Sequence, residues 1–350
     1  LDFVVPNNAI QITQMLAEKL QGSCVVLDQK RDIARLVLRE WTIDFACQCG
    51  ETLELDLLRR DFRLNAIGID CVGEHKIHDP TNGIADIKHK RLVAVSEENL
   101  IQDPLRLLRG IRLLAELGFS LDDQTSFFLH ANSHLLDQAA PERIQSELNR
   151  LVLAPWVEQV FPLLSQIGLL KPWQNKEDYI QSHSKELIYA KTFSSSEISM
   201  ALPLVRLTRL LSDKGLKQLR FSRSFREKCS LLRKWQQRND GQAFNTLSEA
   251  DRFQLHKDLE DCLPALIVTF PLSQQIGWLE RWRNSNDPLF HPSYPIDGNT
   301  LKASLGLASG PALGKLLDFL SKERAFGRLS KKEEILDFAL IWIQQNKTLL

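Results

Sequence analysis

Leu1, Phe3 and Val5 alternate with Asp2 and Val4 at the start of the chain, the period-two pattern of a strand with one covered face. Ala9 to Leu20 changes to helical spacing and predicts a short amphipathic helix ending near Gly22. Strand-like runs follow from Cys24 to Leu27, Ile33 to Leu38 and Trp41 to Ala46. After a break come Asn65 to Val72, Ile77 to Gly83 and Arg91 to Val95. Within Thr42-Ile43-Asp44-Phe45, alternation turns Asp44 away from the face shared by Ile43 and Phe45. Beyond Asn99 the period becomes 3.6 and stays there. Pro104 suits a first helical turn, and Leu107, Leu108, Ile111, Leu114 and Ala115 form one stripe. More helices are predicted over 124–138, 141–153 and 156–169, and repeatedly through to 349. Pro155, Pro172, Ser194 to Ser196, Asn239-Asp240-Gly241 and Pro288 to Pro295 punctuate them. The expectation is an α/β head followed by a long all-helical remainder.

Length and composition narrow this only slightly. The 350 residues exceed the size at which one core stops growing, so at least two packed units are expected. Hydrophobic content of 43% and charged content of 25% fit an ordinary globular chain, with no apolar run long enough to span a bilayer. The chain opens in mid-strand, without methionine or a basic-then-apolar leader, so upstream residues are expected to be missing from it. Cys24, Cys47, Cys49, Cys71, Cys229 and Cys262 lack metal-ligand spacing and are expected to be free thiols of a reducing cytoplasm.

A net charge of zero hides one local imbalance. Between Leu204 and Arg238 stand eleven basic residues against two acids, Asp213 and Glu227. That excess predicts a surface facing a polyanion, with Arg206, Arg209, Arg220, Arg223 and Arg226 as candidate contacts.

Three segments suit phosphoryl transfer, which needs carboxylates for magnesium and cations for the departing charge. Asp2 lies on a strand among apolar neighbours. Arg59-Arg60-Asp61 is followed by Asn65, just before an apolar run, a grouping suited to a nucleotide's ribose and phosphates. Asp103, Arg106, Arg109 and Arg112 climb one side of a helix almost opposite its apolar stripe. A row of three arginines repels itself, and a triphosphate is an efficient counter-ion for it.

Together these segments resemble the class II tRNA nucleotidyltransferase and bacterial poly(A) polymerase family. Leu1-Asp2-Phe3-Val4-Val5 is similar to the end of that family's Asp-x-Asp metal motif. Arg59-Arg60-Asp61-Phe62 through Asn65-Ala66 resembles its ribose motif, with Arg63 in place of threonine. Asp79-Pro80 through Gly83 and Asp86-Ile87 resembles its hinge between head and neck. Asp103-Pro104-x-Arg106-x-x-Arg109-x-x-Arg112 resembles its template motif, with Gln102 for glutamate and Leu113 for phenylalanine. Pro141-Glu142-Arg143-Ile144 with Glu147-Leu148 resembles the neck motif that follows.

The resemblance implies a polymerase-β-like α/β nucleotidyltransferase head with a mixed sheet over 1–97. It implies an all-α neck over 98–170, and a helical body and tail over 171–350 that bind tRNA. Asp2 would bind Mg2+, and Asp61 would support ribose selection or the metal site. Asp44, from its place on the polar face of its strand and not from the resemblance, is a candidate third catalytic carboxylate. Arg60 and Asn65 would hold the nucleotide, Asp103 and Arg106 would read its base edge, and Arg109 and Arg112 would complete the site. Members that add the terminal adenosine carry a long flexible loop before the ribose motif. Here fifteen residues, Phe45 to Arg59, fill that place, as in the CC-adding subgroup. The implied activity is template-independent addition of CC to tRNA 3′ ends from CTP or ATP with Mg2+. CCA addition, A addition and poly(A) synthesis remain open. So does a non-catalytic RNA-binding role, should the natural protein lack the upstream Gly-Gly-x-x-Arg-Asp loop and first metal acid.

Overall fold

In the computed structural model, the early apolar alternation becomes four strands, β1 (Asp2–Val5), β2 (Ser23–Asp28), β3 (Ile33–Val37) and β4 (Thr42–Cys47). They form one mixed sheet in the order β1-β4-β3-β2, with β1 parallel to β4 and the other pairs antiparallel. The structure describes residues 1–175, 187, 189–238, 243–308, 310–331 and 333–346. The helix α1 (Ala9–Leu20) covers one sheet face, where Ala9, Ala17, Leu36 and Phe45 are buried with Phe3, Val5 and Ile43 against them. Asn8 at the start of α1 offers no side-chain cap; the Asp32 carboxylate accepts the Ala9 and Ile10 N–H groups instead, at 2.7 and 2.9 Å. Those N–H groups would otherwise lack partners in the first turn.

Shorter elements follow: α2 (Leu53–Leu57), the hairpin β5 (Gly68–Ile69) and β6 (Ile77–His78), α3 (Gly83–Lys88) and β7 (Arg91–Leu92). Next come α4 (Glu97–Gln102), α5 (Leu105–Leu117), β8 (Ser120–Leu121) and α6 (Asp123–Ala131). Three expectations need correction. The strand expected over 65–72 is a 3-10 turn at Arg63–Asn65 and two residues of β5. The strand expected over 77–83 ends at His78, because the Asp79 carboxylate accepts the Gly83 and Ile84 N–H groups and starts α3. The helical region is interrupted by β8, since Gly118 in the left-handed conformation stops α5 and Ser120–Leu121 pairs with Arg91–Leu92.

The described residues divide into two units, one of Leu1–Ala139 with Pro162–Leu169 and one of Ala140–Phe161 with Leu170–Leu350. The boundary expected at residue 97 falls inside the first unit, where β7, α4 and α5 pack together and Phe62 bridges Ala94. The Asp79–Ile87 segment, expected at a hinge, also lies inside that unit. A Cβ at Gly83 would stand 2.2 Å from the Arg63 carbonyl oxygen, so this glycine permits the close packing of α3 on the Arg63 turn.

The second unit is helical. It includes α7 (Pro141–Leu151), α9 (Ser195–Leu210), α10 (Asp213–Gln218) and α11 (Arg223–Arg238), α8 (Val157–Ile167) preceding α9 in the chain. A Ser194/Glu197 capping box opens α9, which packs on α11 and on Leu263–Ile267. Further along, Leu301, Leu316, Leu320, Ile335, Ala339 and Trp342 make a separate apolar cluster. The Asn239–Gly241 turn and the chain end near 349 lie outside the described residues. All six cysteines are free, and burial pushes the Cys229 thiol up to about 12. No helix among the described residues is long and apolar enough to cross a membrane.

His256 is fully buried among Phe244, Trp278 and Phe290, with neither ring nitrogen hydrogen-bonded. Burial pushes its pKa down to about 3, so it folds as the neutral ring. The unfolded chain protonates this histidine near its ordinary value, and stability therefore falls as pH drops from about 6.5 toward about 3. His256→Leu should move the acid-unfolding midpoint to lower pH, read by circular dichroism. An unchanged acid limb would mean that His256 is not what limits stability there.

Candidate active site

The uncovered sheet face carries a polar row. Register pairs Asp2 with Asp44 across β1 and β4, and Asp44 with Arg35 across β4 and β3, so all three side chains share that face. Arg35 grips Asp44 with two bonds, Nε to Oδ1 at 2.7 Å and Nη2 to Oδ2 at 2.8 Å. This hydrogen bonding holds the Asp44 carboxyl below the usual range and raises the Arg35 pKa. Asp2 is exposed. Sequence reading missed Arg35, although the β3–β4 register would have placed it beside Asp44.

The second cluster is built on the turn between α2 and the Arg63–Asn65 helix. Asp61 is buried, and its carboxylate accepts the Phe62 N–H at 2.8 Å, Asn65 Nδ2 at 3.0 Å and Arg109 Nη1 at 3.2 Å. Asp56, also buried, accepts the Cys49 N–H at 2.9 Å and Arg60 Nη2 at 2.6 Å. It thus ties the segment leaving β4 to the Arg60 side chain. His78 strengthens the hold on α2 by bridging Glu54 at 2.9 Å and Asp70 at 3.1 Å, and the Asp70 bond foremost raises its pKa. Asp56 was not anticipated, though its place four residues before Arg60 was the available signal.

The arginines of α5 do not form an unshared row. Arg106 Nη1 donates to the carbonyls of Arg59 and Asn99, both at 2.9 Å, and burial lowers its pKa. Arg109 meets Asp61, whereas Arg112 is buried and bonded to Glu116 one turn further on. Asp103 is half-buried at the break between α4 and α5, its carbonyl accepting the Arg106 N–H at 2.9 Å. The buried Phe62 ring lies against Gly110, where a Cβ would come within 2.7 Å of it. The structure thus joins Arg60, Asp61, Asn65, Arg106 and Arg109 through bonds to one turn. Asp2 and Asp44 form their own pair on the sheet.

The basic stretch needs correction. Arg206 and Arg209 are buried on Glu158, at 2.9 and 3.0 Å; Arg206 also bonds the Val152 carbonyl and Arg209 stacks on Phe161. They hold α9 to the chain after α7 and present no charge to a polyanion. Other cations of the stretch meet acids from distant segments: Arg220 meets Glu142, Lys228 Asp261, Lys234 Asp258 and Arg238 Asp251. A local charge count cannot see those partners. Arg220 and Arg223 remain largely exposed, Arg223 pairing with Glu227 and Arg226 bonding the Phe221 carbonyl.

A mixed sheet with a carboxylate row, followed by a long helical remainder, defines a polymerase-β-like nucleotidyltransferase fold. The family described as "Poly A polymerase head domain" matches residues 1–93, and "Probable RNA and SrmB- binding site of polymerase A" matches 118–175. The CC-adding tRNA nucleotidyltransferase of Synechocystis sp. is 30% identical, covering 97% of this chain and 87% of that protein. Its namesake in Thermus thermophilus is 31% identical over 93% and 85%, and the CCA-adding enzyme of Streptococcus uberis 28% over 80% and 70%. The solved structure of a CCA-adding enzyme with ATP shares the fold at a TM-score of 0.73, with 18% identity over 98% of this chain and 86% of that one. This chain belongs to the class II tRNA nucleotidyltransferase and bacterial poly(A) polymerase family.

The burial of Arg206 separates structural from surface arginines by experiment. Arg206→Ala leaves Glu158 under-compensated and should cost about 3–5 kcal/mol in urea unfolding. Arg223→Ala, at an exposed helical pair, should change stability by less than about 0.5 kcal/mol. Equal losses would contradict the assignment.

Proposed function

We propose that this protein adds cytidines to tRNA 3′ ends without a nucleic-acid template, taking CTP and stopping before the terminal adenosine. The observation that carries this reading is the short span between β4 and Arg60. Five residues lead from Cys47 to α2, and Asp56 binds both the Cys49 N–H and Arg60. A span so held has little freedom to act as the lever that would reshape the pocket for ATP. The names of the Synechocystis and Thermus relatives support the same reading.

Under this proposal the tRNA 3′-hydroxyl oxygen attacks the α-phosphate of CTP. A phosphodiester forms as the bond to pyrophosphate breaks. Arg60 and Arg109 lie around the Asp61 turn to hold the nucleotide, with Asn65 toward its ribose. Asp103 and Arg106 present acceptor and donors to the base edge. Arg112, buried on Glu116, supports α5 rather than touching phosphate. The exposed Asp2 and its register partner Asp44 fit one side of a magnesium site, although among the described residues no cluster of three potential ligands is gathered. Magnesium there would neutralise triphosphate charge; Arg35 would keep Asp44 ionised and aimed. Helices from residue 171 onward would grip the tRNA by shape and phosphate contacts, with Arg220, Arg223 and Arg226 as candidates.

A second reading, complete CCA addition, is favoured by the streptococcal relatives of that name. One gel separates the two. The natural full-length protein, given tRNA lacking its last three nucleotides, should extend it to CC with CTP alone and no further with CTP plus ATP. A full CCA end, or efficient A addition to a CC-ended tRNA, would establish the second reading. Arg106→Ala should slow incorporation and also relax nucleotide choice, typically by orders of magnitude when a buried hydrogen-bonded site is lost. Uniform slowing with choice intact would remove Arg106 from base reading.

A further inference from the structure

We infer that Asn99 is a positioning residue, one that sets the base-reading helix against the turn carrying Arg60. This rests on the function proposed above. Asn99 is buried in α4, and its side-chain amide donates twice, to the carbonyls of Leu58 and Arg60, each at 2.8 Å. Between those two, the Arg59 carbonyl takes Arg106 Nη1, and the same nitrogen bonds the carbonyl of Asn99 itself. Three consecutive carbonyls of the turn are therefore satisfied by α4 and α5 side chains.

The consequence is geometric. The Arg60 side chain leaves a backbone whose carbonyl Asn99 holds, and Asp56 fixes its guanidinium. The Arg106 guanidinium is fixed by carbonyls on either side of that knot. The offset between the group placed for phosphate and the group placed for the base is thus set by this amide together with the direct bond from Arg106 to the Arg59 carbonyl. A planar amide with donors committed to residues 58 and 60 tolerates little sliding of the turn along the helix. Displacements of about 1 Å in a reactive geometry are enough to cost a large factor in rate. The motif reading of 57–66 and 103–112 did not include Asn99, because its targets are backbone carbonyls some forty residues earlier.

Asn99→Asp keeps the size and shape of the side chain and replaces the two donors with acceptors facing carbonyls. Asn99→Leu removes the donors without adding charge. Ser96→Ala is the control: the Ser96 hydroxyl accepts the Asn99 N–H at 3.2 Å and caps α4, so its loss weakens the same helix but spares the amide. For each protein, kcat and KM are measured with CTP, UTP and ATP on tRNA lacking its last three nucleotides, alongside Tm. Both Asn99 variants should lower the preference for CTP over UTP by about tenfold or more, chiefly through KM. Ser96→Ala should lower Tm and keep the preference. If the Asn99 variants lose Tm but retain preference and KM, Asn99 is structural glue and the inference is overturned. Where Asn99→Asp fails to fold, Asn99→Leu decides; where both fail, Asn99→Gln, which keeps the donors on a longer arm, decides by the same ratio. If the wild-type protein extends no tRNA, the proposed function falls separately. Equilibrium dialysis of CTP and UTP then decides on binding alone, and equal discrimination by wild type and variant overturns the inference.

Discussion

The buried carboxylate of Asp61 is the constraint around which the turn after α2 and the helix α5 are arranged. An ionised group taken from water costs several kcal/mol unless partners replace its hydration. Asp61 has three: its neighbour's N–H, Asn65 and Arg109. Asn65 can reach because the chain folds into a 3-10 turn immediately after Phe62. Arg109 can reach because α5 lies over that turn, and it lies so close because Gly110 leaves room for the Phe62 ring. Two of the three sequence segments that suggested chemistry are two halves of one charge-compensated joint.

The same constraint answers how three arginines share one side of a short helix. Like charges at this spacing are destabilising in isolation. The fold gives each a different counterpart: backbone carbonyls for Arg106, a buried carboxylate for Arg109 and Glu116 for Arg112. A triphosphate is therefore not needed to make the helix tolerable, and whatever binds there meets guanidiniums already aimed. On the sheet, Arg35 aims Asp44 in the same way and Asp2 is left open to solvent.

How much was legible in the sequence follows from how local each interaction is. The strands of the mixed sheet, α1 and the α5 stripe are set by period alone, and Asp44 was turned to the correct face by alternation. Runs such as 65–72 misled because a carboxylate or a glycine a few residues away decided whether the chain turned, as Asp79 does for α3. The basic stretch misled more seriously. Glu142, Glu158, Asp251, Asp258 and Asp261 come from outside it, and only folding shows that they meet its cations. Asn99 is the extreme case, an uncharged residue whose role lies wholly in carbonyls brought to it by the fold.

The linkages also bear on why one nucleotide would be preferred. Cys49 leads to Asp56, Asp56 to Arg60, the Arg60 carbonyl to Asn99, and Asn99 to Arg106. Turning the Arg106 guanidinium toward a different base edge would strip donors from the carbonyls of Arg59 and Asn99. A buried acceptor left without a partner costs about 1–3 kcal/mol. Each tenfold preference between nucleotides corresponds to about 1.4 kcal/mol. The Arg59 carbonyl is exposed and can turn to water, so the part-buried Asn99 carbonyl is the acceptor whose lost donor would bias the pocket toward one setting, by up to about tenfold for about 1.4 kcal/mol. Within the short span from Cys47 to Arg60, Asp56 holds the Cys49 N–H and the Arg60 guanidinium, and His78 holds Glu54.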